Sequence, residues 1–230
     1  MKIFIGYDAR EDLVYRTCVK SVNKAYLEAE VIPIVQDQLR AAGIYNRSKD
    51  RSSTDFSLTR FLVPYLMNYS GWALFMDCDV IVTRPLVQPK IDGSKAVYVV
   101  KHAYQPRFNM KMDGQKNESY HRKNWSSVMF FNCSHAACGI LTPAIVNKSL
   151  PSWLHQFAWC SDDEIGELDQ TNNFLVGEYP APDKDAESLI IPTDNTPRVL
   201  HFTNGVGPFN SQGIQDYEAL WFNISKRCES

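Results

Sequence analysis

The sequence predicts an α/β protein in which helices flank a mostly parallel central sheet within a single domain. Its 230 residues are 44% hydrophobic, enough to bury one sizeable core. Residues 2–35 show the order strand, helix, strand, which is typical of a right-handed parallel unit. Residues 72–83 form an apolar run with the length of a buried strand, although periodicity alone does not exclude a short buried helix.

The N-terminal segment has the clearest pattern of elements. Residues 2–6 predict the first strand. From residue 11 to about residue 29 a helix is predicted, because apolar side chains recur on one stripe at Val14, Cys18, Val22 and Tyr26. Residues 31–35 predict a second strand, and Pro33 favours an edge or irregular position for it.

A polar segment and a helix separate this unit from the apolar run. Residues 37–55 are dense in Arg, Lys, Asp and Ser without a clear period. They predict either a solvated surface loop or a mobile basic segment near an anionic ligand. Residues 56–67 predict a helix that carries Thr59 and Arg60, and Pro64 either kinks this helix or marks a late start.

The second half of the chain predicts further strands at residues 96–100, 127–132 and 198–202. Helical segments are predicted at residues 142–158, interrupted at Pro151, and at 217–224. The polar connection over residues 103–124 is long for a compact domain, which favours a functional lid or acceptor loop. We find no internal repeat and no dividing linker, so we expect one domain over residues 1–230.

Charge and cysteine content narrow the function classes. A formal charge of -2 gives no support to nucleic-acid or membrane-surface binding. No apolar run approaches the ~20 residues that a membrane helix needs, and the first residues become polar too soon for a signal peptide. The six cysteines form no C-x-x-C pair, so we expect reduced thiols and a cytoplasmic location.

Two aspartates within the apolar run, Asp77 and Asp79, are the strongest chemical signal. Residues two apart in a strand point to the same side, so both carboxylates would converge. Burying carboxylates is costly unless they are paired or bind a metal, and a divalent cation is the simplest partner. Backbone amides or a buried arginine could hold them instead. Asp183-Lys-Asp185 has the same spacing in a Pro-rich loop, and we interpret it as solvated surface.

His201 is the candidate third metal ligand. It ends an apolar strand and precedes Gly205 and Gly207, whose small size would let backbone amides approach a phosphate. Two carboxylates, an imidazole and a phosphate fit Mn²⁺ or Mg²⁺, and the imidazole favours Mn²⁺. Asp8 ends the first strand, where α/β sheets place ligands, although it could equally cap the following helix.

Taken together, these motifs resemble glycosyltransferases of the GT-A fold, most closely the group of glycogenin and the bacterial lipooligosaccharide galactosyltransferases. The motifs that match in order are Phe4-Ile-Gly-Tyr-Asp8, Thr59-Arg60, Phe75-Met-Asp-Cys-Asp-Val80, Phe131-Asn132 and His201-Phe-Thr-Asn-Gly205. They span nearly the whole chain, while the segments between them match poorly.

The resemblance implies a role for each motif. Asp77, Asp79 and His201 would hold a metal that bridges the diphosphate of a nucleotide sugar. The remaining nucleotide-sugar contacts would be Gly6, Tyr7 and Asp8 in the motif at the base (usually uracil), Arg60 near the diphosphate or sugar, Cys78 near the ribose, Asn132 beside the donor sugar, and Gly205 and Gly207 at the phosphates.

One feature of the sequence departs from the family pattern, and one role in that pattern has no single candidate residue. The lysine that usually follows the glycines is missing, because the chain reads Val206-Gly-Pro-Phe-Asn210. Asp162 and Asp163 resemble the acids that line the acceptor side, so either is a candidate catalytic base. They could instead cap the turn after Ser161, and retention or inversion at the sugar carbon stays open.

The resemblance therefore implies a metal-dependent enzyme that transfers a hexose from a UDP-sugar to a carbohydrate acceptor. Two alternatives remain at this point. Phe-Met-Asp-Cys-Asp-Val also resembles the nucleophile strand of haloacid-dehalogenase-like phosphatases, although two strands precede it here. A non-catalytic nucleotide-sugar-binding module could also keep the same fold.

Overall fold

The computed structural model describes residues 1–48, 54–103, 121–210, 213 and 215–226. It begins with the predicted parallel unit, formed by strand β1 (Lys2–Tyr7), helix α1 (Asp12–Ala25) and strand β2 (Glu30–Val35). Helix α1 ends earlier than predicted, and the N–H of Tyr26 closes it by bonding Val22 O. Strand β2 pairs only with β1 and forms the sheet edge, which confirms the position expected from Pro33.

The segment that follows contains helices where the sequence predicted a loop and one continuous helix. Helix α2 (Gln36–Ala41) occupies the start of the predicted polar loop, whose residues 49–53 lie outside the described part. The predicted helix over residues 56–67 is a 3₁₀ turn, Thr59–Leu62, that continues into α3 (Val63–Leu66). Pro64 sits in the first turn of α3, where its missing N–H costs nothing.

The predicted strand over residues 72–83 is two strands in two different sheets. Strand β3 (Trp72–Met76) pairs parallel with β1, and β4 (Val80–Val82) leaves to join a smaller sheet. The prediction of a single strand was wrong because the chain leaves the large sheet after Met76 and pairs with the segment Val199–His201 in the smaller sheet from Val80 onward. The acid triplet therefore forms the crossing between the two sheets.

Three short strands complete the large sheet, namely β5 (Val97–Val99), β6 (Val128–Asn132) and β7 (Ile165–Glu167). The sheet order is β2-β1-β3-β6-β5-β7, and β6 alone among these six runs antiparallel to its neighbours. The carboxyl ends of β1, β3, β5 and β7 therefore meet at one edge, where β6 begins. Ligands of α/β sheets bind at such an edge.

The smaller sheet has the order β4-β9-β8, formed with β8 (Phe174–Leu175) and β9 (Val199–His201). Helices α4 (Pro143–Lys148), α5 (Pro151–His155) and α6 (Glu218–Ser225) complete the described elements. Helix α1 packs against β1, β4 and α6, so it links the two sheets. None of the helices in the described part of the chain has the length and apolarity that crossing a bilayer requires.

Candidate metal centre

The acid triplet is fixed by backbone bonds at both ends. The N–H of Asp77 donates to Ser127 O at 2.9 Å, and the carbonyl of Asp79 accepts from the Phe202 N–H at 2.9 Å. The first bond belongs to the start of β6 and the second to the end of β9. The two carboxylates therefore converge because a turn joins two sheets, and not because a single strand places them on one side.

His201 reaches the triplet through strand pairing. In the antiparallel pair β4–β9, His201 lies opposite Val80, the residue after Asp79. Its Nε2 is 3.4 Å from Asp79 Oδ1, and its side chain is 2% exposed. One ligand atom each from Asp77, Asp79 and His201 lies within 4.8 Å of the others. The structure therefore brings together the three residues that the sequence predicted as metal ligands.

The electrostatics of this cluster fit a divalent cation. Burial raises the pKa of Asp77, the charge of Arg60 opposes this effect, and the Asp79 carboxylate raises the pKa further. Two carboxylates this close in a buried place need positive charge to stay ionised. Carboxylate oxygens and an imidazole are a donor set that Mn²⁺ and Mg²⁺ accept.

The buried Arg60 side chain supplies part of that positive charge. Its Nη1 is 2.8 Å from Asp77 Oδ1 and also donates to Ser126 O at 2.9 Å. The guanidinium lies over the rings of Phe56 and Phe75, with its Cζ 5.4 and 5.1 Å from their centroids. The residue is 5% exposed, so it contacts Asp77 from the protein interior, and its place near the diphosphate or sugar stays a prediction.

Cys78 and Glu11 form a buried pair behind the triplet. The thiol of Cys78 is fully buried and donates to Glu11 Oε2 at 3.2 Å. The thiol is therefore used inside the protein, and the place of Cys78 near the ribose stays a prediction. Burial and the nearby Asp79 carboxylate together raise the pKa of Glu11 to about 7, although the hydrogen bond from Cys78 opposes them. Sequence reasoning took Glu11 only as a helix start and missed that its side chain faces the site.

The Asp8 side chain bonds the turn that directly follows it. It is 1% exposed and caps the 3₁₀ turn Ala9–Glu11. Its Oδ1 accepts from the backbone N–H and Nε of Arg10, both at 3.0 Å, and its Oδ2 accepts from Nη2 at 2.6 Å and from the Asp55 N–H at 3.1 Å. Burial alone would raise the pKa of Asp8, but these hydrogen bonds outweigh it and lower the pKa. The capping alternative thus describes Asp8 well.

Gly6 and Tyr7 lie beside Asp8 at the carboxyl end of β1. A Cβ on Gly6 would lie 2.3 Å from the ring of Phe56, so packing requires glycine there. The Tyr7 hydroxyl donates to Asp12 at 3.3 Å, and its ring meets Tyr15 edge to face. Tyr7 is partly exposed at the edge that carries the metal cluster, and its contact with a base stays a prediction.

Gly205 and Gly207 follow His201 in a turn that needs glycine for local reasons. Gly205 has a φ of 100°, and its N–H donates to Phe202 O at 2.8 Å. Gly207 has a φ of 57°, and a Cβ there would lie 2.6 Å from the ring of Trp221. Both glycines follow the metal-cluster residue His201 closely in the sequence. The N–H of Gly205 already donates within the turn, and the contact of both glycines with phosphates stays a prediction.

Asn132 is not brought to the site, which corrects the prediction that it borders the donor sugar. Because β6 runs antiparallel to β3, Asn132 pairs with Trp72 at the opposite edge of the sheet from Asp77. Its amide donates to the carbonyls of Gly93 and Lys95 at 3.4 and 3.2 Å. Asn132 therefore anchors the loop before β5.

Asp162 and Asp163 also lie away from the cluster. They form a 3₁₀ turn before β7, whereas the cluster lies where the parallel strands end. Asp162 pairs with Arg122, which lowers its pKa, and the Ser161 hydroxyl lowers the pKa of Asp163. Lowered pKa values oppose a role as base. The predicted catalytic role of both acids is therefore corrected, because the turn alternative describes them.

The acidic segment over residues 160–169 reaches the edge of the sheet that carries the metal cluster, but with its C-terminal residue Asp169. Asp169 follows β7 and caps the 3₁₀ turn Gln170–Asn173 by accepting from the Thr171 N–H at 2.9 Å. This turn leads to Asn173, whose Oδ1 is 2.9 Å from Nδ1 of His201. Asp169 is exposed on the same edge as Asp77. The sequence marked the acidic segment, but strand direction decided which acid meets the site. The predicted lid or acceptor loop covers residues 103–124, of which residues 104–120 lie outside the described part of the chain.

The sheet order, with an acid triplet crossing from the large to the small sheet, defines the GT-A fold. Solved structures agree. The chain matches the glycosyltransferase GlyE of Streptococcus pneumoniae TIGR4 with a TM-score of 0.60 at 14% identity, over 97% of this chain but only 59% of GlyE. It matches the galactosyltransferase LgtC with a TM-score of 0.59 at 11% identity, over 99% of this chain and 96% of LgtC. The fold expected from the motifs is therefore confirmed.

Sequence comparison identifies the family. The chain is 39% identical to Protein CDI of Arabidopsis thaliana over 226 residues, which cover 96% of this chain and 85% of that protein. It therefore belongs to the family of Protein CDI. No protein-family model matches the sequence.

Proposed function

We propose that this protein is a metal-dependent glycosyltransferase that transfers a hexose from a UDP-sugar to a carbohydrate acceptor. The observation that carries the proposal is the convergence of Asp77, Asp79 and His201 within 4.8 Å at the ligand-binding edge of a GT-A sheet. The similar structure of LgtC is described with donor and acceptor sugar analogs, which supports a sugar donor and a sugar acceptor here.

The metal would be Mn²⁺ or Mg²⁺, held by Asp77, Asp79 and His201. When bound, such a cation supplies charge neutralisation for a diphosphate leaving group. Arg60 favours the ionised form of Asp77 and fixes its position through the 2.8 Å contact. No lysine follows Gly207 before Asn210, so the side chains of that turn add no charge to the leaving group.

The acceptor side is assigned to the segment after β7. Asp169 is an exposed carboxylate on the same edge as the cluster, so it replaces Asp162 and Asp163 as our candidate acid beside the acceptor hydroxyl. A carboxylate there can hold or accept the proton of that hydroxyl. Tyr7, at the carboxyl end of β1, is the candidate surface for the base.

The two alternative functions predict different properties. A phosphatase nucleophile must be open to its substrate, whereas Asp77 is 9% exposed and paired with Arg60, which disfavours that reading. A binding module would hold the nucleotide sugar without turnover.

We further propose that the chain forms a single domain and that the protein is cytoplasmic. The described cysteines are free thiols, as is usual for proteins in a reducing compartment.

The test is release of nucleotide from a panel of nucleotide sugars, with simple sugars as acceptors, with and without Mn²⁺. We expect turnover of a UDP-sugar that chelation or Asp79→Asn abolishes. Asp185→Asn is the matched control, because Asp185 is an exposed acid of the second Asp-x-Asp triplet. Metal-dependent binding without turnover would favour the binding module, and phosphate release from a phosphomonoester, lost in Asp77→Asn, would favour the phosphatase.

A further inference from the structure

The imidazole of His201 has a partner on the side away from the carboxylates. Its Nδ1 is 2.9 Å from Oδ1 of Asn173, while its Nε2 faces Asp79. An amide oxygen can only accept a hydrogen bond. Nδ1 therefore carries the proton, and Nε2 presents its lone pair to the cluster.

The orientation of the Asn173 amide is itself fixed by a second histidine. Its Nδ2 donates to Nε2 of His102 at 3.0 Å and to the Asn124 carbonyl at 3.2 Å. Asn173 is fully buried and His102 is 8% exposed, so water competes little for these bonds. Two donations on the Nδ2 side leave Oδ1 as the atom that faces His201.

His102 is held in the matching tautomer from its other side. Its Nδ1 is 2.8 Å from the Tyr179 hydroxyl, and the Trp125 indole donates to its backbone carbonyl at 3.0 Å. Because Nε2 accepts from Asn173, Nδ1 carries the proton and donates to the tyrosine oxygen. Burial lowers the pKa of His102 to about 3, so the ring is neutral. An amide in the middle of the chain passes no proton, so its effect is on orientation.

We propose that Asn173 is a positioning residue of the metal centre: it fixes the tautomer and direction of His201, and His102 and Tyr179 fix Asn173. The inference rests on the proposed metal dependence. Histidines that bind metals are commonly oriented by an acceptor on the second ring nitrogen, and loss of such an acceptor costs about 10- to 100-fold in metal affinity.

Asn172 gives a matched control within the same turn. It is also fully buried, but its amide bonds the N–H and carbonyl of Val87 at 2.9 and 3.0 Å, whereas the bond to His201 comes from Asn173. Asn172→Ala therefore removes an equally buried amide without touching the metal ligand. Any effect of folding stability on metal binding should appear in both alanine variants.

The experiment titrates Mn²⁺ into each variant, alone and with UDP, by electron paramagnetic resonance. We expect Asn173→Ala to weaken Mn²⁺ about 10- to 100-fold and Asn172→Ala to leave the affinity near wild type. Asn173→Asp keeps an acceptor for His201 Nδ1, so it should retain most of the affinity while removing the donor to His102. This variant keeps the test valid if Asn173→Ala folds poorly.

Nitrogen chemical shifts of metal-free protein at alkaline pH give a second readout. Wild type should show His201 protonated at Nδ1, whereas a proton at Nε2 would overturn the inference. Equal Mn²⁺ affinity in Asn173→Ala and wild type would overturn it while leaving the proposed function standing. No Mn²⁺ binding by wild type, with or without UDP, would overturn both.

Discussion

Removing the guanidinium of Arg60 tests how the buried Asp77 carboxylate is held. In Arg60→Met the apolar stem remains between Phe56 and Phe75, while the 2.8 Å ion pair and the bond to Ser126 O are lost. The Asp77 side chain is 12% exposed, so water cannot replace the lost partner. The change therefore leaves a nearly buried charge without its arginine.

The expected cost follows from this burial. Removing one partner of a buried ion pair typically costs about 3–5 kcal/mol of the free energy of unfolding. The control is Arg16→Met, which breaks a 2.8 Å pair with Asp12 whose side chains are 48% and 47% exposed. Solvent screens this pair, so its loss should cost at most about 1 kcal/mol.

The pH dependence of the Arg60→Met penalty has a defined sign. Burial already raises the pKa of Asp77, and loss of Arg60 raises it further above the unfolded-state value. A raised carboxyl pKa leaves stability unaffected below the unfolded-state pKa and removes stability as the pH rises above it. The unfolded-state pKa is common to both proteins, so the penalty should grow as the pH rises above the pKa of Asp77 in the folded wild type.

The assay is urea unfolding in chelator, with the double variant Arg60→Met/Asp77→Asn completing a cycle. The double variant should be more stable than the sum of the single effects implies, by at least about 1 kcal/mol, because no buried charge is left unpaired. If Arg60→Met costs no more than Arg16→Met, or the two effects simply add, the account of Asp77 is refuted.

Three other predictions concern the turns around the site. The pKa of His102 is lowered from 6.5 to about 3, so its contribution to stability is complete above pH 6.5 and is lost as the pH falls. The difference in free energy of unfolding between wild type and His102→Gln should then shrink as the pH is lowered from 6 to 4, by up to about 1.4 kcal/mol per pH unit in urea unfolding. A difference that stays constant over this range would contradict the prediction. Asp169→Asn should lower kcat for sugar transfer by about 100-fold or more, while Asp162→Asn stays near wild type; equal effects would restore the original assignment. Gly207→Ala should cost more than about 1 kcal/mol in the same unfolding assay, because of its φ of 57° and the 2.6 Å approach to Trp221; an unchanged midpoint would show that the turn relaxes.

Long local patterns predicted the first elements well. Residues of α1 repeat on one stripe, and Pro33 marks an edge strand, so local sequence contains the information. Strands β7 and β8 span Ile165–Glu167 and Phe174–Leu175. Such short strands have no period of their own, and pairing with distant strands alone defines them.

The sequence predicted those site residues whose chemistry shows in their immediate neighbours. It failed for residues whose position depends on the direction of a strand in the sheet. Two acids in an apolar run need polar or charged partners whatever the fold, so Asp77 and Asp79 could be found. Asn132 was misplaced because nothing nearby in the sequence shows that β6 runs antiparallel.

The second Asp-x-Asp triplet shows the same limit. Asp185 is exposed as expected, but Asp183 is only 8% exposed. Its Oδ2 accepts from the hydroxyls of Thr196 at 2.8 Å and Tyr217 at 3.0 Å. These partners are distant in sequence, so the expectation of solvated surface was wrong for this one acid.

The most direct test of the proposed function is calorimetry of UDP binding with and without Mn²⁺. We expect wild-type protein to bind UDP measurably only when Mn²⁺ is present, and Asp79→Asn to lose that dependence because a ligand of the cluster is gone. Asp185→Asn should behave as wild type. UDP binding of equal strength with and without Mn²⁺, or no binding under either condition, would contradict the assignment of Asp77, Asp79 and His201 as the clamp on a nucleotide-sugar diphosphate.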